Sequence, residues 1–192
     1  MRIISGIFKG KKILEPRDIK TRPLKDMVKE SIFNIINHSN KFNIELNDAK
    51  ILDLFSGVGS FGIECLSRGV KKVYFVENYE NVLNILKKNL LSLKLNQNYK
   101  IINKNIYIEN IFLSFEEKFD IIFLDPPYRD KNINKIFEKI SKANILNKNS
   151  IIILHRHKKE NEIFFKNFKI IEQKKYGISK IIFFFLFKLI FF

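Results

Sequence analysis

Three acidic residues, Asp53, Glu77 and Asp125, each close a short apolar run. The run before Asp125, Phe119 to Leu124, is rich in β-branched and aromatic residues and breaks at Asp125-Pro126-Pro127-Tyr128. It reads as a buried strand that ends in a stiff turn. Pro126 and Pro127 fix their own φ and cannot continue a helix or a central strand, and Pro126 pushes Asp125 away from helical angles. The turn presents one carboxylate, carbonyls without a strand partner, and one aromatic ring. That set suits methylation of an exocyclic amino group on a flat base. Such a nitrogen is a poor nucleophile because its lone pair is delocalised into the ring. A carboxylate and a carbonyl that accept its two hydrogens favour a pyramidal, more nucleophilic form. Tyr128 would hold the base by stacking. An ordinary Asp-Pro turn after a core strand uses the same residues, so the turn alone leaves both readings open.

Asp53-Leu54-Phe55-Ser56-Gly57-Val58-Gly59-Ser60-Phe61-Gly62 follows a short strand and opens a helix, in the pattern G-x-G-x-x-G. Gly57 and Gly59 let a ligand approach the backbone, and Gly62 lets the helix pack on the sheet. Glu77 closes the next strand about 20 residues on, where an acid would bind ribose hydroxyls. A dinucleotide would bring a pyrophosphate to this loop, where the Asp53 carboxylate repels it. S-adenosylmethionine brings an ammonium and a sulfonium, which Asp53 attracts. The charge favours S-adenosylmethionine. Phe55 in the loop and Asn78 beside Glu77 complete the candidate contacts read from this part of the chain. No metal is expected, since three His and one Cys are scattered along the chain.

These residues need a scaffold, and the apolar pattern supplies one. Strands are expected at 50–54, 72–76, 99–102, 119–124, 150–154, 168–172 and 178–186. Helices are expected from Leu24, before a polar linker at 39–49, and at 60–68, 80–95 and 132–143. In the first, Met27, Val28, Ile32, Ile35 and Ile36 form the buried face, with Lys29 elsewhere. The alternation implies an α/β, Rossmann-like fold with a seven-stranded, mostly parallel sheet and helices on both faces. In such sheets ligands bind outside the carboxyl ends of the strands. Strands one and four are expected to be neighbours, which brings Asp125 beside the sulfonium end of the cofactor. Residues 183–187 are apolar on every side, as in a strand paired on both edges and covered on both faces. Residues 188–192 have no such account.

The chain has 192 residues and a formal charge of +15, with 46% hydrophobic residues. One domain is expected, with residues 1–23 as a basic, extended or hairpin-like arm and 24–192 as the catalytic domain. The charge points to a polyanion, although a chain crowded with Lys, Asn, Ile and Phe also fits codon bias. Residues 1–25 carry Arg2, Lys9, Lys11, Lys12, Arg17, Lys20, Arg22 and Lys25 against only Glu15 and Asp18, a local excess that marks Arg2, Lys9, Lys11, Lys12, Arg17 and Arg22 as candidate nucleic-acid contacts. The lone Cys65 excludes an intrachain disulfide, no apolar leader opens the chain, and residues 181–192 are too short to span a bilayer. A cytoplasmic monomer is expected.

The opening Met1-Arg2-Ile3-Ile4-Ser5-Gly6, Arg22-Pro23 with Asp26, Glu30 and Phe33-Asn34, the run Asp53 to Gly69 with Glu64 and Ser67-Arg68, Phe75-Val76-Glu77, Asn89-Leu90, Asp125 to Tyr128 and Lys175-Tyr176-Gly177 together resemble the RsmD family of bacterial 16S rRNA guanine-N2 methyltransferases. The resemblance covers nearly the whole chain, and its N-terminal segment is the specific part. It implies a class I S-adenosylmethionine-dependent methyltransferase acting on small-subunit rRNA, within an assembling ribosomal subunit. It implies Asn105 near the cofactor adenine, where the family often has Asp. Leu24 stands where Thr is usual, and lacks a hydroxyl to cap the following helix. His155 stands where Glu is frequent, and is expected at the surface. An adenine-N6 methyltransferase on DNA or RNA, or a non-catalytic rRNA-binding assembly factor, would share many of these residues. The choice of guanine rests on the resemblance alone.

Overall fold

The β-branched and aromatic runs pair as the sequence pattern requires. β1 (Lys50–Leu54), β2 (Lys72–Val76), β3 (Tyr99–Ile102), β4 (Phe119–Leu124), β5 (Leu146–His157), β6 (Phe168–Tyr176) and β7 (Ser179–Leu186) form one sheet in the order β3-β2-β1-β4-β5-β7-β6. The first five strands are parallel, and β7 runs antiparallel between β5 and β6. The structure is a computed structural model that describes residues 1–16, 24–95, 98–128, 130–160 and 167–187.

Helices cover both faces. Side chains of α1 (Asp26–His38), α2 (Ser60–Ser67) and α3 (Glu80–Ser92), among them Ile32, Phe33, Ile63 and Leu86, pack on Ile51, Phe75, Phe123, Ile153 and Phe183. On the opposite face α4 (Ile133–Lys142) sets Ile136, Phe137 and Ile140 against Leu52, Leu54, Ile122, Ile152 and Phe184. Its apolar residues recur at helical spacing while its lysines lie elsewhere, so one stripe is buried. β7 is apolar on both sides because both sides are covered and both edges are paired. Residues 188–192 lie outside the described residues. Among the described residues no helix is long and apolar enough to cross a membrane.

Four expectations are corrected. β5 runs well beyond residues 150–154, because Leu146 pairs with Phe119 at one end and β7 pairs as far as His157 at the other. β6 likewise continues to Tyr176 along β7. α3 stops at Ser92, since Lys94 takes a left-handed φ of 49°. In α1 it is Lys29 that is buried, while Met27 is 67% exposed. The Lys29 ammonium reaches inward to the Arg2 carbonyl at 2.8 Å and toward Glu64 at 3.9 Å. α1 also lacks a side-chain cap at its N-cap residue, which is Lys25 rather than Leu24, and the Lys25 carbonyl accepts the N–H groups of Val28 and Lys29.

The N-terminal residues double back on themselves. Arg2 and Lys12 form an antiparallel bridge, with Ile3 N–H donating to the Lys11 carbonyl at 3.0 Å. This hairpin is fastened to α2 and α3 by three side chains. Glu64 accepts the N–H groups of Ile4 and Ser5 at 2.8 and 2.9 Å. Ser67 accepts from Phe8 N–H, and Asn89 accepts from Leu14 N–H while donating back to the Leu14 carbonyl. Gly6 crosses so close that a Cβ there would lie 1.7 Å from the Ser67 carbonyl oxygen. Under this cover every residue of α2 is buried, Cys65 included. Burial pushes the Cys65 thiol well up, and the carboxylates of Asp53 and Glu64 add to the shift.

Candidate active site

The carboxyl ends of β1, β2 and β4 open on one cavity of about 630 Å³. It lies where the strand order reverses between β1 and β4, the place where ligands bind in open α/β sheets. Asp53, Phe55, Gly57, Glu77, Asn78, Asn105, Asp125, Pro126, Pro127 and Tyr128 all line it. The structure thus brings together the sequence-predicted residues of both halves, apart from Gly59 and Gly62, which work behind the loop. A Cβ at Gly62 would stand 2.3 Å from the Phe75 ring and 2.9 Å from Asp53 Oδ2, so only glycine lets α2 close on the sheet. Gly59 caps α2 at a left-handed φ of 89°.

Backbone groups shape the β1–β2 half. Asp53 is buried, and Gly62 N–H donates to its Oδ2 at 2.9 Å. Burial pushes its carboxyl well above the usual range; the Gly62 bond opposes that shift, while Asp125 and Glu77 add to it. Glu77 accepts Gly57 N–H on Oε2 and the N–H groups of Asn78 and Tyr79 on Oε1. A carboxylate has about four acceptor sites, so one remains for a ligand hydroxyl. Asn105 Oδ1 accepts Tyr107 N–H at 3.0 Å and keeps a second lone pair. Phe55 holds a left-handed φ of 58°, rare for a bulky residue, and its ring meets Tyr107 at 5.7 Å on the cavity wall. Mutually repelling carboxylates around an apolar-walled cavity fit a cationic ligand: an ammonium or sulfonium relieves the repulsion, whereas a pyrophosphate increases it.

Side chains from distant strands hold the β4 half. His155 Nδ1 lies 2.8 Å from Asp125 Oδ1, and the imidazole is 1% exposed. The expectation of a surface His155 is overturned, because β7 pairs alongside and carries β5 past its apolar run. The buried Arg156 donates to the carbonyls of Pro127 and Asp130, at 2.9 and 2.7 Å. Tyr128 shares a hydrogen bond with Ser179 at 3.1 Å, and its ring stands edge-on to His155 and His157. Tyr107 donates its hydroxyl to Asp130; burial first, then that carboxylate, pushes the phenol up. Sequence reasoning assigned no part here to Arg156, Ser179, Tyr107 or Asp130. The signal for His155 and Arg156 was their position: they follow an apolar strand at its carboxyl end, as Asp53, Glu77 and Asp125 do.

Pro16 and Leu24 line the cavity, so the N-terminal segment reaches its mouth. Among the basic candidates, Lys9 and Lys12 are exposed, as is Lys11, which lies over the Phe8 ring, and Arg2 is 3.5 Å from Asp26. Arg17 and Arg22 lie outside the described residues.

Comparison with known proteins places the chain among methyltransferases. The family model described as Conserved hypothetical protein 95 matches residues 1–185. Ribosomal RNA small subunit methyltransferase D of Haemophilus influenzae is 32% identical over 179 residues, 93% of this chain and 90% of its own. The solved structure named "Putative methyltransferase yhhF" from Escherichia coli matches with a TM-score of 0.80 at 26% identity, over 97% of this chain and 98% of that one. The solved structure named "Crystal structure of SMU.776, a putative methyltransferase complexed with SAH" shares the fold at a TM-score of 0.63 and 15% identity, over 81% of this chain and 48% of that one. The fold is the Rossmann-like class I methyltransferase fold.

Proposed function

The chain belongs to the family described as Conserved hypothetical protein 95, the RsmD family, and from that membership we propose that it methylates the exocyclic N2 of a guanine in small-subunit (16S) rRNA, with S-adenosylmethionine as donor. The observation that carries this reading is the meeting of Asp53, Glu77 and the Asp125-Pro126-Pro127-Tyr128 turn around one cavity. The rRNA methyltransferase name of the Haemophilus relative and the SAH bound by the neighbour of the same fold support it.

S-adenosylmethionine supplies an electrophilic methyl group when bound. Asp53 and the Gly57 loop would hold its methionine end, Glu77 its ribose, and Phe55, Asn78 and Asn105 the adenine side. Asp125 and the Pro126 carbonyl accept the two hydrogens of the guanine amino group. That draws the nitrogen lone pair out of the ring and aims it into the cavity. Tyr128 bears on the face of the base. Residues 1–23 act as the arm, with Arg2, Lys9, Lys11, Lys12, Arg17 and Arg22 on phosphates, and residues 24–192 as the catalytic domain. Phosphate contacts position the RNA, and the target base enters the pocket unstacked.

The test is to incubate the protein with labelled S-adenosylmethionine and, separately, naked rRNA, small subunits and DNA, and then to identify the modified nucleoside. N2-methylguanosine from rRNA or small subunits is expected. N6-methyladenine, or no label in any arm, would overturn the assignment.

A further inference from the structure

The parallel pairing of Leu124 with Leu154 sets Asp125 and His155 side by side at the ends of β4 and β5. The imidazole is buried, while the Asp125 side chain is 21% exposed. Their atoms Nδ1 and Oδ1 lie 2.8 Å apart. An ionised carboxylate only accepts, so the contact requires the proton on Nδ1. With Oδ1 engaged by the imidazole, Oδ2 keeps both of its lone pairs for a ligand in the cavity that Asp125 lines.

We propose that His155 is a positioning residue for methyl transfer: it donates Nδ1–H to Asp125, aims Oδ2 at the incoming amino group, and makes turnover depend on its own charge. This rests on Asp125 being the acceptor-site carboxylate, as proposed above. The anchoring matters because a free Asp side chain samples several rotamers, and a displacement of about 1 Å at a reacting group costs about a hundredfold in rate. The charge matters because the amino nitrogen gains a methyl group and gives up one proton. Asp125 must be basic enough to attract that proton. A neutral imidazole leaves the carboxylate its full charge, whereas an imidazolium at the same distance offsets it. Protonation of the imidazole therefore lowers turnover.

The other titratable groups on the surrounding elements have partners of their own. On β5, Arg156 serves the Pro127 and Asp130 carbonyls and the His157 ring packs on Tyr128. Lys180 of β7 donates to the Glu160 carbonyl, and Tyr176 of β6 bonds Ser31. Lys29, Glu64 and Arg68 of the α1–α2 layer pair among themselves. Asp53 acts from β1 on the cavity side of Asp125.

Full-length wild type, His155→Asn and His155→Leu would be compared for kcat against pH, with S-adenosylmethionine affinity as the check on folding. Asn keeps an N–H near the Nδ1 position but cannot titrate. It should hold kcat within about tenfold of wild type at pH 8 and lose the acidic limb. Leu removes the donor and should lower kcat about a hundredfold with cofactor affinity unchanged. Imidazole 15N NMR reads the tautomer without turnover, and Nδ1–H is expected. An Nε2–H tautomer, an acidic limb retained in His155→Asn, or wild-type kcat in His155→Leu each overturns the proposal. Asp125→Ala separates the two readings. If it turns over normally, the acceptor-site assignment falls. If it is inactive while His155→Asn keeps the wild-type pH profile, only the role of His155 falls.

Discussion

At the β1–β2 end of the cavity the holds are backbone N–H groups from within 20 residues: Gly62 N–H on Asp53, and Gly57, Asn78 and Tyr79 N–H on Glu77. At the β4 end the turn is held by side chains that come from 30 residues away for His155, 29 for Arg156 and 51 for Ser179. The first arrangement spans no more than 20 residues, from Gly57 to Glu77, and needs only β1 and β2 to be paired. The second exists only after β5 and β7 have paired. One half of the cavity is therefore held mainly by nearby backbone N–H groups and the other by side chains from more distant strands.

That contrast is exposed to test, beginning with the largest effect. Asp125→Ala should cut transfer about a thousandfold and leave S-adenosylmethionine affinity intact. A matching loss of affinity would show that the halves do not act separately. Arg156→Met leaves the Pro127 and Asp130 carbonyls without their donor. We expect kcat to drop about a hundredfold and chemical denaturation to register a loss of about 2–4 kcal/mol, again with affinity spared. If Arg156→Met weakens cofactor binding instead, the turn is not the element it supports.

Asp53→Asn probes the other half. Loss of the charge should weaken S-adenosylmethionine binding about tenfold by calorimetry. The same change should raise the melting temperature of the cofactor-free protein at pH 7. Burial raises the Asp53 carboxyl above its unfolded value. The folded state therefore binds the extra proton, and stability falls as pH rises from about 4. The advantage of Asn should accordingly shrink toward pH 4, and a pH-independent advantage would point to another cause. The smallest effect is expected from Lys9, Lys11 and Lys12 changed together to Ala. RNA affinity should drop severalfold and the log–log salt slope flatten by about 0.7 per lost contact, with methyl transfer chemistry untouched. An unchanged slope would remove the arm from the RNA interface.

Much of the sheet was legible because burial on both faces leaves continuous apolar runs, as in Ile121–Leu124 and Ile181–Phe184. The three strand-end acids were legible by the same logic, since each is a charge set where an apolar strand stops. His155 was misplaced because a polar triplet after a strand looks like an exit to solvent, and only the antiparallel return of β7 keeps it inside. The fastening of the hairpin was illegible for a related reason. Glu64 and Asn89 are ordinary helical polar residues until chain 60 and 75 positions away lies against them. Lys29 followed them inward, and its ammonium is made easier to deprotonate by burial, against the pull of Glu64 and Asp26.

Cys65 is the only thiol in the chain, and it is shut inside α2 with its ionisation suppressed. A thiol that neither ionises nor meets solvent does not react with maleimides. Wild-type protein should therefore be silent to such dyes. A cysteine installed at Ile7, 78% exposed on the N-terminal hairpin, would become a unique attachment point for a fluorophore without any background thiol to remove. The hairpin's approach to RNA could then be followed in real time by the emission of a single dye.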